Sequence, residues 1–144
     1  MKRRSLLLAV CMMLVVGLVP SLKAQSTGKT HKVVFGVTSG DVADWNLTLG
    51  NARNLINGVK PDATEVEIVA FGPGINMIKG DSAVAEDIKK LQEMGVKFMA
   101  CQNAMRAHKL ELKDLLPDMV PVPAGIVEVV EKQEAGWVYI KGGR

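Results

Sequence analysis

The chain has two cysteines, Cys11 and Cys101, and two histidines, His31 and His108. Cys101 has the clearest capacity for chemistry. It closes an apolar run, VKFMAC over 96–101, and is followed at once by Gln102-Asn103-Ala104, where a helix is expected to start. Unpaired backbone N–H groups at a helix start stabilise an anion, and the thiolate is the nucleophilic form of cysteine. Arg106 and His108 follow within two helical turns and add positive charge. A thiol in this setting suits nucleophilic sulfur chemistry. The alternative is a small buried side chain at the end of a strand, because Cys is among the most buried residue types.

Other candidates are weaker. His31 and His108 have no metal-ligand spacing, and the chain has no CxxC and no HxxxH pair, so no metal site is expected. Asp41 and Asp44 could form a carboxylate pair, but helix capping accounts for them at less cost. Gly72-Pro73-Gly74 resembles part of a dinucleotide fingerprint and fails it, because the third glycine position is Met77. It reads as a tight turn whose amides, with Asn76, could line a pocket. Asn46-Leu47-Thr48 matches a glycosylation sequon inside an expected helix and reads as a chance match. Trp45 and Trp137 read as core or subunit-contact anchors, and the methionines of the later chain as core filler.

The compartment bears on the thiol. Met1 to Ser5 is basic, Leu6 to Val19 is an unbroken run of 14 apolar or small residues, and Pro20 to Ala24 ends on a small residue. This is the pattern of a secretory signal peptide over residues 1–24, with an uncleaved anchor as the alternative. Residues 25–30 read as a flexible start and 31–144 as the domain. The leader carries four of the 18 basic residues and none of the 15 acidic ones, which leaves 14 against 15 and a net charge of −1. That removes the charge argument for nucleic acid, and the scattered aromatics offer no stacking platform. Cys11 departs with the leader. Cys101 is then the one thiol of an exported chain and has no internal disulfide partner. The expected location is periplasmic, with no membrane contact after cleavage.

The elements that must position Cys101 are legible as alternating patterns. His31–Thr38, Glu65–Phe71, Val96–Cys101, Met119–Val122 and Trp137–Ile140 read as strands. Between them, Trp45, Leu49, Ala52, Ile56 and Val59 form one helix face, capped by Asp41 or Asp44 and ended at Gly58. A second helix opens at Asp81 or Ser82 and buries Val84, Ile88 and Leu91. Asn103 caps a short third helix over Ala104–Lys109, and a further turn spans Leu112 to Leu116. The last helix runs from Ile126 to Glu134 with Ile126, Val129 and Val130 inward. Strands alternating with helices predict an α/β domain: three layers, α/β/α, around a mostly parallel five-stranded sheet. Ligands of such sheets bind beyond the carboxyl ends of the strands. Cys101 falls there as the catalytic candidate, with Gly72, Gly74, Asn76, Gln102, Asn103 and Gly125 as candidate ligand-binding residues.

KVVFGV, DWNLTLGNARNLIN, VEIVAFGPGI, GVKFMACQNAM, VPAGIVEVVEKQ and the terminal GWVYIK together resemble the DsrE/DsrF-like family, most closely its exported single-domain branch. The resemblance spans about residues 31–141 and implies a five-stranded α/β/α domain in oligomers, commonly trimers or hexamers. No cofactor is expected. Some cytoplasmic relatives carry sulfur as a persulfide on one cysteine, to which Cys101 corresponds by position. Thiol or persulfide donor and acceptor proteins would then be its partners. The export signal departs from those relatives, so their partner proteins do not carry over. A non-enzymatic oligomeric module that binds a small ligand, and a redox-responsive thiol, remain as alternatives.

Overall fold

The computed structural model describes residues 28–144. The leader expected over residues 1–24, with Cys11, lies outside them. Five strands form the sheet: β1 (Thr30–Val37), β2 (Ala63–Ala70), β3 (Lys97–Cys101), β4 (Val120–Val122) and β5 (Val138–Lys141). The helices are α1 (Val42–Gly58), α2 (Ala85–Glu93), α3 (Gln102–Ala107) and α4 (Gly125–Glu134), with 3-10 segments at Gly72–Ile78 and Leu112–Asp114. The order across the sheet is β4-β3-β2-β1-β5, with every pairing parallel. The expected three-layer parallel architecture is therefore present.

Side-chain alternation along each strand splits the core in two. Val33, Phe35 and Val37 of β1, Ile68 and Ala70 of β2, and Phe98 and Ala100 of β3 pack with α1, α2 and α3 in one large cluster. Val34, Val69, Met99 and Val122 face the other way, onto Val129 of α4. The chain steps from β1 to β4 in one direction with its helices on the first face, then returns past β1 to β5 through α4 on the second. That is the route right-handed crossovers allow.

Several expectations need correction. Asn103 does not cap α3; the helix starts one residue earlier than that cap, and Cys101 is its N-cap. The second helix opens at Ala85, not at Asp81 or Ser82, because Ser82 Oγ accepts the Val84 amide and holds a turn there. Gly58 is the last residue of α1, not a left-handed terminator, and Val59 closes the helix with φ −94. Gly72-Pro73-Gly74 opens a seven-residue 3-10 segment and is no simple turn. On α4 only Val129 of the three expected inward residues is buried; Ile126 is 58% exposed and Val130 is also exposed. Gly125 and Val129 face the sheet four residues apart, and Ile126 and Val130 are each turned about 100° from them. Asp41 is the cap of α1, its Oδ1 accepting the Ala43 amide at 2.8 Å. Trp45 is buried and its indole N–H donates to the Ser39 carbonyl at 2.7 Å, a core role.

Candidate functional site

β3 and β4 are neighbours whose outgoing helices leave on opposite faces: α3 packs with the large cluster and α4 with the small one. Ligands of α/β folds bind beyond the carboxyl ends of adjacent strands whose connections part in this way. Cys101 ends β3 at this point, and Gly125 begins α4 after β4. The two residues meet. A Cβ placed on Gly125 would lie 3.2 Å from Cys101 Cβ and 2.7 Å from Phe71 Cβ, so only glycine lets α4 start this close. Alternation explains the meeting, since Lys97, Met99 and Cys101 share the α4 face of β3.

Cys101 Sγ accepts the Ala104 amide at 3.4 Å and so replaces one of the missing carbonyl partners at the start of α3. The same hydrogen bond is available to a thiolate, for which it is charge-assisted. Cys101 itself is 4% exposed. Gln102 and Asn103 beside it are exposed. Asn103 Oδ1 accepts a hydrogen bond from the Arg106 guanidinium, and His108 is an exposed cap residue at the other end of α3. Neither Arg106 nor His108 is bonded to the thiol, so the positive charge expected from them is not brought to it as a contact.

The remaining candidates lie around this rim. Gly72 and Gly74 follow β2, which pairs with β3 through Ala70 and Ala100. Gly74 is forced: a Cβ there would stand 2.1 Å from the Val37 carbonyl oxygen at the end of β1. Asn76 closes its own turn, its Nδ2 donating to the Pro73 carbonyl at 3.1 Å. Thus Cys101 and Gly125 are in contact, Gln102 and Asn103 flank them, and Gly74 and Asn76 are engaged with backbone of the adjoining rim.

Two aromatic residues absent from the expected set belong here. Phe71 touches Gly125, and a Cβ on Gly36 would meet Tyr139 at 2.9 Å and Phe71 at 3.4 Å. Phe71 continues the Glu67, Val69 face of β2, so its orientation toward Cys101 follows from alternation once α4 is known to cover that face. Tyr139 needed the β1–β5 pairing, in which it stands opposite Val34. Among the described residues, no group of three His, Cys, Asp or Glu side chains is arranged to hold a metal, and no helix is long and apolar enough to cross a membrane.

The chain is similar in structure to MTH1491, a protein of unknown function from Methanobacterium thermoautotrophicum, at TM-score 0.74 and 33% identity, covering 77% of this chain and 98% of that one. It shares its fold with BT1422 of Bacteroides thetaiotaomicron, also of unknown function, at TM-score 0.60 and 16% identity over 76% of this chain and 93% of that one. The same holds for the ychN protein of E. coli, at TM-score 0.59 and 10% identity over 78% of this chain and 99% of that one. No curated protein matches the chain. The model of the DsrE/DsrF-like family matches residues 31–141, and this protein, with Cys101 at the carboxyl end of β3, belongs to that family.

Proposed function

We propose that this protein is an exported, oligomeric sulfur carrier that holds sulfur on Cys101. The observation that supports the reading is the hydrogen bond from the Ala104 amide to Cys101 Sγ, made where the chain leaves β3 for α3. In the proposed step the Cys101 thiolate attacks the outer sulfur of a donor persulfide. A new S–S bond forms at Cys101, the donor S–S bond breaks, and the donor leaves as a thiolate. An acceptor thiolate then attacks the outer sulfur on Cys101 and restores the Cys101 thiolate. No net oxidant or reductant is consumed. The exposed apolar side chains of Ile126, Val127 and Val130 on α4 and Val138 on β5 support the oligomeric part.

Incubation with polysulfide followed by intact mass measurement tests the reading. The expected result is a mass gain of one or more sulfur atoms, removed by a thiol reductant and absent in Cys101→Ser. Equal sulfur addition to Cys101→Ser, or none to the folded native protein, overturns it.

The 4% exposure of Cys101 favours a second reading, in which the thiol only caps α3 and the rim binds a small ligand without covalent chemistry. Native protein that resists alkylation until it is denatured would support this reading over sulfur transfer.

A further inference from the structure

A cavity lies at the amino-terminal end of the strands, away from Cys101. Its volume is about 220 Å³, and Thr64, Glu65, Glu67, Lys97, Lys132 and Trp137 line it. Glu67 sits in the middle of β2 and is 3% exposed, unusual for a carboxylate. Its Oε1 accepts from Lys132 Nζ at 2.7 Å. Lys132 is held in turn by Glu128 at 3.6 Å and lies 4.5 Å above the Trp137 ring. The other carboxylate oxygen, Glu67 Oε2, is buried and has no hydrogen-bond partner among the described residues. Buried acceptors in native proteins are almost always paired, so this one calls for a donor.

The cavity wall also carries a cation without an ion-pair partner among the described residues. Lys97 is the cross-strand partner of Glu67, so the two side chains leave the same face of neighbouring strands, about 4.8 Å apart at the backbone. Lys97 is exposed and has no ion pair among the described residues. The lining holds two carboxylates, Glu65 and Glu67, against two ammonium groups, Lys97 and Lys132. Lys32 already engages Glu65 at 3.5 Å.

We propose that this cavity binds a small α-amino acid as its zwitterion, the ammonium donating to Glu67 Oε2 and the carboxylate accepting from Lys97 Nζ. An ammonium brings three donors and a carboxylate only acceptors, which matches the unpaired Glu67 oxygen and the Lys97 cation. A ligand of zero net charge leaves the balance of the lining intact. A simple amine would leave Lys97 unused, and a simple acid would set its charge beside Glu67. The volume is below the ~300–1,000 Å³ of sites for larger ligands, which restricts the side chain to a small one. The Trp137 ring supplies an apolar wall beside it.

Calorimetric titration of the purified protein with glycine and with L-alanine tests the proposal. Saturable binding is expected for both, with methylamine and acetate, which each present one end, weaker by about tenfold or more. Lys97→Ala changes an exposed side chain and is expected to keep the native circular dichroism while weakening alanine binding by about tenfold. Glu67→Gln is expected to weaken it as well, and Cys101→Ser to leave it unchanged, which separates this site from the sulfur chemistry. Absence of saturable heat with both amino acids, undiminished alanine binding by Lys97→Ala, or acetate binding as well as alanine overturns the proposal.

Discussion

Cys101 does two jobs that substitution can separate. As the N-cap of α3 its sulfur accepts the Ala104 amide; as a thiol it is the candidate nucleophile. Serine is a good N-cap and no persulfide carrier, whereas alanine loses both functions. Cys101→Ser should therefore stay within about 0.5 kcal/mol of the native stability, and Cys101→Ala should lose about 1 kcal/mol, in the ~0.5–2 kcal/mol range of lost caps. Urea unfolding of the two variants checks this. Gly125 is the other decisive residue. Gly125→Ala sets a methyl 2.7 Å from Phe71 Cβ and 3.2 Å from Cys101 Cβ, so α4 must retreat. Overpacking of this kind costs about 1–3 kcal/mol. The retreat should also open the β3–β4 edge, so iodoacetamide labelling of Cys101 is expected to become faster than in the native protein.

At the scale of elements, the 3-10 segment Gly72–Ile78 joins the site to the core. Its Ile75, Met77 and Ile78 are fully buried, and each such side chain contributes about 1.5–3 kcal/mol of transfer free energy. Gly74 lets the segment pass against the end of β1, where a Cβ would stand 2.1 Å from a carbonyl oxygen. Backbone cannot yield as a flexible side chain does, so Gly74→Ala is expected to cost about 3 kcal/mol or more, the upper end of overpacking. Thermal unfolding of that variant beside Gly40→Ala checks the comparison, since a Cβ on Gly40 meets nothing nearer than 3.5 Å. The helices themselves follow from their patterns. α1 buries Trp45, Leu49, Ala52 and Ile56 at the expected spacing. On α4, runs of adjacent valines blur the 3.6-residue period, and the inward face cannot be chosen without the sheet.

For the whole molecule, the C-terminal residues hold the start of α1. The Arg144 amide and Nε each donate to Asp44 Oδ1 at 3.1 Å, and its Nη2 donates to Asp41 Oδ2 at 3.2 Å. The Ser39 hydroxyl, then the backbone and side chain of Arg144, hold the Asp44 carboxyl down to about 2 from its ordinary 3.8. A depressed carboxylate stabilises the fold above its unfolded pKa, and that contribution disappears as pH falls through the folded one. The Asp44 contribution is thus complete above pH 3.8 and is lost toward pH 2. Arg144→Ala should raise the midpoint of acid unfolding followed by circular dichroism, and an unchanged midpoint would refute the role of this contact. The other whole-molecule expectation concerns association. Ile126 at 58% exposure and Val130 at 45% stand on α4, the helix that covers the second face of the sheet. Ile126→Glu with Val130→Lys should convert an oligomer to a smaller species in sedimentation velocity, with little change in circular dichroism.

The kinds of elements and their order are legible along the chain, because alternation and helical spacing are local properties of side chains that each element must bury. It also put Cys101 at the end of a strand and the start of a helix, since apolar run and breaker are contiguous. What Cys101 meets follows from packing between distant segments. Gly125 lies 24 positions away and Phe71 lies 30, and their approach depends on strand order and on which face α4 covers. The same holds for Glu67 with Lys132 and for Asp44 with Arg144, pairs 65 and 100 positions apart. Charge type is written in the chain; which charges become partners depends on how the sheet brings distant segments together.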